Sequence, residues 1–208
     1  MVARFPQPQR CLSWAIVNGG EVVSDAVAWR FLAKDEVAQM GGDPPAWLRL
    51  CLEEAGLGTA VGLMTSRRPH SYVESTCGDC RCLATVGLSN ALAAGDPPSL
   101  PAKPTAQFGT INLLCWIQAP LTAEASLEAL ALASEARAAA VLQARIPSRM
   151  SGHPSTGTGT DYLVIAYPPE GHPSPYCGKH TPLGHQIATA VMEAVGRGAA
   201  QWLKEQKT

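Results

Sequence analysis

The 208-residue sequence has neither an excess of one charge nor a long apolar run. Its 16 basic and 17 acidic side chains give a formal net charge of −1, which argues against a nucleic-acid-binding protein, because such proteins usually carry a basic excess. No apolar run approaches the roughly 20 residues that cross a bilayer. The segment Met1–Arg10 lacks the apolar core of a signal peptide, so we expect a cytoplasmic protein.

The sequence also lacks a second C-x-x-C pair to complement Cys77, Cys80 and Cys82, which form its one cysteine cluster. A structural zinc or iron–sulfur site needs a fourth ligand at a recognisable spacing, and only Cys177 with His180 could complete such a set across the fold. The odd total of seven cysteines argues against a disulfide scaffold. We therefore favour reduced thiols and no bound metal, with a metal-binding module as an alternative.

The common hydrolase and nucleotide-binding motifs are absent as well, since the chain contains no G-x-S-x-G and no H-E-x-x-H. The run Thr156–Asp161 alternates threonine with glycine and leads into the apolar segment Tyr162–Tyr167. It is not a Walker loop, because no lysine follows it and it precedes a strand. Glycine allows close approach to a ligand and threonine offers a hydroxyl, so this run predicts a functional loop at the mouth of a buried strand.

What is present indicates one α/β domain over residues 1–208, with a mixed β-sheet packed against helices. Hydrophobic residues make up 46% of the chain, which is ample for a core. Periodicity and turn signals predict helices over 25–34, 46–55, 124–145 and from Thr181 onward, and strands over 11–17, 21–23, 59–65, 70–74, 82–88, 109–117 and 161–167. Two stripes recur at helical spacing: Leu127, Ala131, Ser134, Ala138 and Leu142 in the long helix, and Leu183, Ile187, Val191 and Val195 in the last one.

Further polar segments lie at the ends of predicted strands, where open sheets commonly build their sites. The candidate substrate-binding residues are Asn18, Gly19, Gly20, Ser89, Asn90, Thr110, Asn112, Thr156, Gly157, Gly159 and Thr181. Asn18–Gly20 also fits an ordinary hairpin turn, and a buried amide at Asn112 needs partners of its own. Lys179 and His180 form a cationic corner at a helix start, which suits an anionic or carbonyl oxygen.

Taken in order, these segments resemble the adenosylcobinamide amidohydrolase family of corrinoid salvage. The resemblance runs from about Trp14 to Val195 and rests on Val17–Gly20, Gly62–Thr65, Thr85–Ala91, Gly109–Asn112, Glu135–Ala136, Thr156–Asp161 and Gly178–Gly184. It implies hydrolysis of the amide that joins the propionyl arm of the corrin ring to aminopropanol, giving adenosylcobyric acid and aminopropanol or its phosphorylated, nucleotide-bearing form. It also implies action on pseudocobalamin-type corrinoids by some members. The implied partner is a corrinoid small molecule, with no cofactor, nucleic acid or membrane.

Amide hydrolysis needs a nucleophile, donors for the developing oxyanion and an acid for the leaving amine. The candidate catalytic residues are Asp161, Glu135, His180, Lys179, Thr158 and Thr160. Either carboxylate would activate water and either cation would protonate the amine, whereas a threonine nucleophile is the rival mechanism. Backbone N–H groups of residues 157–160, with Asn90 or Asn112, would hold the oxyanion. A corrinoid-binding protein without activity is the alternative function.

A corrinoid is large, flat and mostly apolar, with neutral amides around its rim. We therefore expect an apolar cleft with neutral hydrogen-bonding groups and no strong charge field. Trp14, Trp47 and Trp116 could line this cleft, although core packing is favoured for each. All the polar segments from Asn18 to Thr181 are expected to meet in one pocket.

Overall fold

A computed structural model describes residues 1–33, 36, 40, 42–98 and 109–207. Its strands are β1 (Val2–Ser13), β2 (Gly20–Phe31), β3 (Val61–Thr65), β4 (Tyr72–Cys77), β5 (Cys80–Val86), β6 (Ala91–Leu92), β7 (Ile111–Ile117), β8 (Gly157–Thr158) and β9 (Tyr162–Tyr167). Its helices are α1 (Pro44–Glu54), α2 (Ala123–Gln143) and α3 (Pro182–Glu205), with a 3₁₀ turn at Pro69–Ser71. The expected α/β class with a mixed sheet is confirmed.

The main sheet has seven strands in the order β3-β2-β1-β9-β7-β5-β4, and β6 pairs with β8 in a separate two-stranded ladder. Strands β7 and β9 are parallel, whereas β1 and β5 run antiparallel to them. The starts of β7 and β9 therefore share one edge of the sheet with the ends of β1 and β5. We call this side of the sheet, where those strand ends meet, the polar edge. The opposite side, where β7 and β9 end, is the far edge.

Strands β1 and β2 are bent, so that part of the sheet folds over itself. The register between them shifts between Arg4 and Gln9, where Pro6 and Pro8 lack the N–H groups that a ladder requires. Beyond this irregularity, Trp29 of β2 and neighbouring apolar side chains of β3 pack in one cluster with apolar side chains of β5, β7 and β9. The two prolines also hide the strand from sequence analysis, because β1 begins at Val2 and not near residue 11.

The predicted helix over 25–34 is wrong within the described residues, since β2 continues to Phe31. Val27 and Trp29 face the folded-over core, whereas Ala26 and Ala28 face a second core formed with α1. Because this part of β2 is buried on both faces, its sequence lacks the polar–apolar alternation that identifies a strand. Its alanines favoured a helix instead. Residue 34 lies outside the described residues.

Helices α2 and α3 cover the other face of the sheet and pack against each other. The predicted stripe of α2 faces the wrong way, because Leu127 is 59% exposed and Leu142 is 42% exposed. The buried residues of α2 are Ala125, Ser126, Ala129, Leu132, Ala133, Ala136, Ala140 and Val141. Small side chains allow close approach to the neighbouring elements, so alanine and not leucine marks the packed side. None of the described helices has the length and apolarity needed to cross a membrane.

Candidate functional site

The threonine–glycine loop at the polar edge is built around the carboxylate of Asp161. Oδ1 accepts hydrogen bonds from Thr158 Oγ1 at 2.6 Å and from Ile111 N at 3.1 Å. Oδ2 accepts from Thr158 N at 3.0 Å and from Arg137 Nη1 at 2.7 Å. The side chains of Asp161 and Arg137 are only 6% and 15% exposed. The loop therefore wraps around a buried ion pair whose carboxylate has four donors.

The protonation equilibrium of Asp161 reflects these opposing surroundings. Burial raises the pKa of the carboxyl, while the charge of Arg137 and the hydrogen bonds from Thr158 and Ile111 act in the lowering direction. The pKa lies above its usual value as a net result. Asp161 is therefore a stronger proton acceptor than an ordinary surface aspartate, which suits a general base.

Close packing explains the first glycine of the loop. A Cβ on Gly157 would lie 2.3 Å from Asp161 Oδ2 and 3.5 Å from the Cζ atom of Arg137, so a larger residue would displace the ion pair. A Cβ on Gly159 would meet nothing closer than Leu92 Cδ1, at 3.5 Å. The two glycines thus differ sharply in the space around them.

Neighbouring segments complete a group that we call the Asp161 cluster: Arg137, Thr158, Thr160 and Asp161, with Ser89, Asn90, Gly109 and Thr110. Thr160 Oγ1 lies 3.0 Å from Thr110 Oγ1 and donates to Gly109 O at 3.3 Å. A Cβ on Gly109 would lie 2.7 Å from Asn90 Oδ1 and 2.8 Å from Ser89 Oγ. Within the described residues Asn90 Oδ1 is buried and has no hydrogen-bond partner.

Pairing between β6 and β8 holds these segments together. Thr158 pairs with Ala91 and Gly157 with Leu92 in an antiparallel register. Thr156 Oγ1 accepts a hydrogen bond from Ala94 N at 2.9 Å, which ties the start of the loop to the same segment. The ladder therefore fixes the distance between Asn90 and Thr158.

Sequence reasoning missed Arg137, although this residue supplies the charge that Asp161 faces. It lies in the alanine-rich part of α2, directly after the buried Ala136. The available signal was that Arg137 is the single basic residue of α2, next to a face made of alanines.

The structure does not bring Lys179, His180 and Thr181 to the Asp161 cluster. Helix α3 begins at the far edge, because Gln186 Oε1 accepts a hydrogen bond from Asp79 N at 3.1 Å in the turn between β4 and β5. The seven residues of β7 separate that edge from the polar edge by about 20 Å. Thr181 is the N-cap of α3, and its hydroxyl accepts from Gly184 N at 2.9 Å.

Glu135 also points away from the cluster. Its Oε1 accepts a hydrogen bond from Lys179 Nζ at 2.5 Å, and the two side chains are 57% and 64% exposed. Successive residues of an α-helix turn by about 100°, so Glu135 and Arg137 project from nearly opposite sides of α2. The Lys179–Glu135 pair is thus a surface ion pair.

Asn18 and Gly19 end the connection between β1 and β2, and Gly20 begins β2. Asn18 adopts a φ of 53° and donates from Nδ2 to Gly58 O at 3.0 Å and to Ala60 O at 2.8 Å. These contacts hold the connection against the start of β3. The amide of Asn18 is therefore used within the fold.

Asn112 is fully buried and also holds two elements together. Its Nδ2 donates to Met64 O at 2.7 Å, which attaches the end of β3 to β7. Its Oδ1 and the neighbouring Thr85 Oγ1 have no hydrogen-bond partner within the described residues. Asn112, which follows Ile111 in β7, therefore lies inside the fold and not on an open surface.

Among the three tryptophans considered, Trp14 lies at the Asp161 cluster. It is 42% exposed and donates from Nε1 to Asp161 O at 2.6 Å. Trp116 packs against Phe5 with ring centroids 5.2 Å apart, and Trp47 lies under the guanidinium of Arg30. Trp14 is thus a fixed aromatic surface beside the threonine–glycine loop.

A cavity of about 930 Å³ adjoins the cluster at Ser89. Apolar side chains such as Leu88, Trp202 and Leu203 form part of its wall. Four arginines also line it: Arg67, Arg68, Arg145 and Arg149. We expected a cleft without a strong charge field, and a cavity lined by four arginines differs from that expectation. The net charge of the chain did not reveal this, because it does not describe where the charges lie.

The clustered cysteines lie between the sheet and the helices. Cys80 and Cys82 are fully buried, and Cys80 Sγ lies 3.1 Å from Cys115 Sγ. Burial raises the pKa of Cys82 well above its usual value and that of Cys177 to about 11, so these thiols stay protonated at neutral pH. In the part of the chain that the structure describes, no group of three or more His, Cys, Asp or Glu is placed to hold a metal ion.

Comparison with known proteins identifies the family. The model of the adenosylcobinamide amidohydrolase family matches residues 1–207. An adenosylcobinamide amidohydrolase of Halobacterium salinarum is 37% identical over 122 residues, which are 57% of this chain and 49% of that protein. An uncharacterized protein of Methanocaldococcus jannaschii is 36% identical over 97 residues, 44% of this chain and 36% of that protein. The chain thus covers about half, or less, of the length of these curated relatives. From the match along 1–207, the chain belongs to the adenosylcobinamide amidohydrolase family.

Proposed function

We propose that this protein hydrolyses the amide between the corrin ring and the aminopropanol arm of adenosylcobinamide, giving adenosylcobyric acid and aminopropanol. Family membership along residues 1–207 supports the reaction class. The observation that carries the proposal is the contact between a hydroxyl and a buried carboxylate, Thr158 Oγ1 to Asp161 Oδ1 at 2.6 Å. The pair belongs to the same cluster as Ser89, which lines a cavity of about 930 Å³. Such a pair is what an activated hydroxyl nucleophile requires.

In the first step, Thr158 Oγ1 attacks the carbonyl carbon of the amide and its proton passes to Asp161. The raised pKa of Asp161 favours this transfer. The negative charge that develops on the carbonyl oxygen needs a hydrogen-bond donor, and the side-chain amide of Asn90 is the neighbouring candidate. Asn112 is a poorer one, because its Nδ2 already donates to Met64 O.

In the second step, the C–N bond breaks and Asp161 returns its proton to the leaving amine. Water then attacks the acyl ester on Thr158, with Asp161 again accepting and returning the proton, so that a free carboxylic acid and the original hydroxyl result. Asp161 thus replaces Lys179 or His180 as the acid for the leaving group. A single group serves both steps, as the histidine of a serine hydrolase does.

The alternative route uses Asp161 to activate water directly. It is less well supported, because the carboxylate is 6% exposed and already accepts four hydrogen bonds. A water molecule would have to displace one of these donors. Thr158 needs no such rearrangement, since it is already in contact. Once its oxygen is acylated it no longer donates to Asp161 Oδ1, and the water that cleaves the ester can take its place.

The test is to incubate the purified chain with adenosylcobinamide and to measure cobyric acid and aminopropanol by chromatography. Thr158→Val should abolish turnover while Thr158→Ser retains part of it, and Thr76→Val on an exposed position of β4 is the matched control. Mass spectrometry after rapid quenching should find the corrinoid acyl ester on the peptide that contains Thr158. A pseudocobalamin-type corrinoid in a parallel assay measures the proposed extension of substrate range.

The outcomes separate the candidate mechanisms and functions. Full activity of Thr158→Val with loss of activity in Asp161→Asn would transfer the mechanism to activated water. Full activity of Asp161→Asn would exclude both routes. Tight binding of adenosylcobinamide without any product would favour a corrinoid-binding protein that lacks activity.

A further inference from the structure

The cavity of about 930 Å³ beside Ser89 concentrates positive charge in a chain whose net charge is −1. Four of its lining residues are arginines, and none of its described lining residues is acidic. The C-terminal ends of α2 and α3 also face it, and each contributes about half a negative charge. Together with the carboxylate of Glu205, which pairs with Arg67, those partial charges amount to about two negative charges against four guanidinium groups, so the cavity stays positive.

Two of the arginines are fixed by contacts within the fold. Arg67 is 9% exposed on its side chain and forms a bidentate pair with Glu205, at 2.7 and 3.0 Å. Its Nε is buried and has no hydrogen-bond partner among the described residues. Arg149 donates from Nη1 to Ser89 O at 2.9 Å, which connects the cavity to the Asp161 cluster. The wall of the cavity is therefore built and not a chance gathering of loose side chains.

The other two arginines keep their charge available. Arg68 and Arg145 are exposed, and no described carboxylate lies within ion-pair distance of either. Arg145 adopts a φ of 54°, in the left-handed region that few residues other than glycine occupy. The hydrogen bond from Arg67 lowers the pKa of Glu205, and Arg68 is close enough for its charge to help, but Glu205 already pairs with Arg67. These guanidinium groups, in a cavity whose wall includes Trp202, are arranged for an anionic ligand with an organic part.

We propose that this cavity is a binding subsite for a phosphoryl group, held by Arg68, Arg145 and Arg149, with the organic part of the ligand against Trp202 and Leu203. Guanidinium groups bind phosphate oxygens through paired, charge-assisted hydrogen bonds, which makes a phosphate ester the preferred anion. The inference goes beyond the cleavage of adenosylcobinamide, which carries no phosphate, and it rests on the proposed function only for substrates that carry a phosphate of their own, as pseudocobalamin-type corrinoids do. Its shared wall at Ser89 places the phosphoryl group next to the threonine–glycine loop.

Isothermal titration of the whole chain, at constant ionic strength set with chloride, tests the subsite with two probes: inorganic phosphate and adenosine 5′-monophosphate. We expect one site per chain and affinity about tenfold weaker, or more, in the double variant Arg68→Gln with Arg145→Gln. Arg10→Gln is the matched control, because Arg10 is a half-exposed arginine paired with Glu21 near the far edge. Thermal unfolding of each variant verifies that it is folded.

The two probes distinguish the source of the phosphoryl group. Tighter binding of the nucleotide than of inorganic phosphate indicates an ester whose organic part uses the apolar wall, and equal affinity indicates free phosphate. Absence of binding by both probes, or equal weakening in the control and the double variant, would overturn the subsite. The titration contains no corrinoid, so its failure would leave the proposed hydrolysis untouched, and failure of hydrolysis would leave the subsite standing.

Discussion

Replacing Asp161 by asparagine keeps the shape of the side chain and removes the charge that Arg137 faces at 2.7 Å. An amide offers one acceptor oxygen and one donor nitrogen. Whichever way the asparagine amide is turned, its NH₂ group faces two of the present donors, and at least one of them is an N–H group that cannot accept. These are either Thr158 Oγ1 and Ile111 N or Thr158 N and Arg137 Nη1. The substitution therefore leaves a buried guanidinium without its counter-ion and disturbs the loop.

The magnitude follows from the burial of the pair. Breaking a buried ion pair by changing one partner costs about 3–5 kcal/mol of unfolding free energy. Since the asparagine oxygen retains two of the four contacts, we expect the lower end, about 3 kcal/mol. For a chain of this length, each kcal/mol lowers the melting temperature by about 2–4 °C, so the expected decrease is about 6–12 °C.

Urea unfolding of the wild type, Asp161→Asn and Asp25→Asn measures this effect. Asp25 pairs with Arg4 at 3.6 Å, and both side chains are more than half exposed, so the same chemical change there should cost less than about 1 kcal/mol. A double-mutant cycle that combines Asp161→Asn with Arg137→Gln should give a coupling energy of at least about 1 kcal/mol.

A refuting result is equally concrete. If Asp161→Asn unfolds at the same urea concentration as Asp25→Asn, and the cycle with Arg137→Gln is additive, then the ion pair does not hold the loop. If such a variant also turns over adenosylcobinamide at the wild-type rate, Asp161 has no part in the chemistry either.

Three further predictions rest on single contacts. Gly157→Ala should lose about 1–3 kcal/mol of unfolding free energy in urea, because the new Cβ would clash with Asp161 Oδ2. Gly159→Ala should stay within about 0.5 kcal/mol of the wild type, and equal losses in the two variants would contradict the packing argument. Asp161 must be ionised to accept a proton, and its pKa is raised, so the turnover rate should rise with pH through an apparent pKa above the usual aspartate value of 3.8. A pH–rate profile whose acidic half falls with an apparent pKa at or below 3.8 would count against Asp161 as the base. The hydrogen bond from Arg67 lowers the pKa of Glu205 in the folded protein. The stability that this pair contributes is therefore present above the usual glutamate pKa of 4.5 and is lost as pH falls through the lower folded-state pKa. The unfolding free energies of wild type and Glu205→Gln should differ more at pH 7 than at pH 3.

Sequence patterns predicted the fold class and the helices α1, α2 and α3, but they misjudged which residues are buried. In α2 the leucine stripe invited the conclusion that Leu127 faces the core, yet Leu127 is 59% exposed. The packed side carries alanines because α2 lies close to both α3 and the sheet, and hydrophobicity alone does not reveal how near two backbones approach. In β2 the opposite error arose, since cover on both faces removed the alternation that identifies a strand.

The candidate site could be predicted in part because strand direction decides which segments meet. Ser89 and Asn90 follow β5, Thr110 precedes β7 and Asp161 precedes β9; these meet at the polar edge because β5 runs against β7 and β9. Lys179 follows β9 and so emerges at the opposite edge. The rule that sites gather at the carboxyl ends of strands holds for parallel sheets and gives no guidance on the pairing of a mixed one. No motif in the loop itself predicts the contact between Asp161 and Arg137 of α2. The position of Arg137 became inferable only once α2 was known to lie over β9, which makes the buried charge of Asp161 a consequence of tertiary packing.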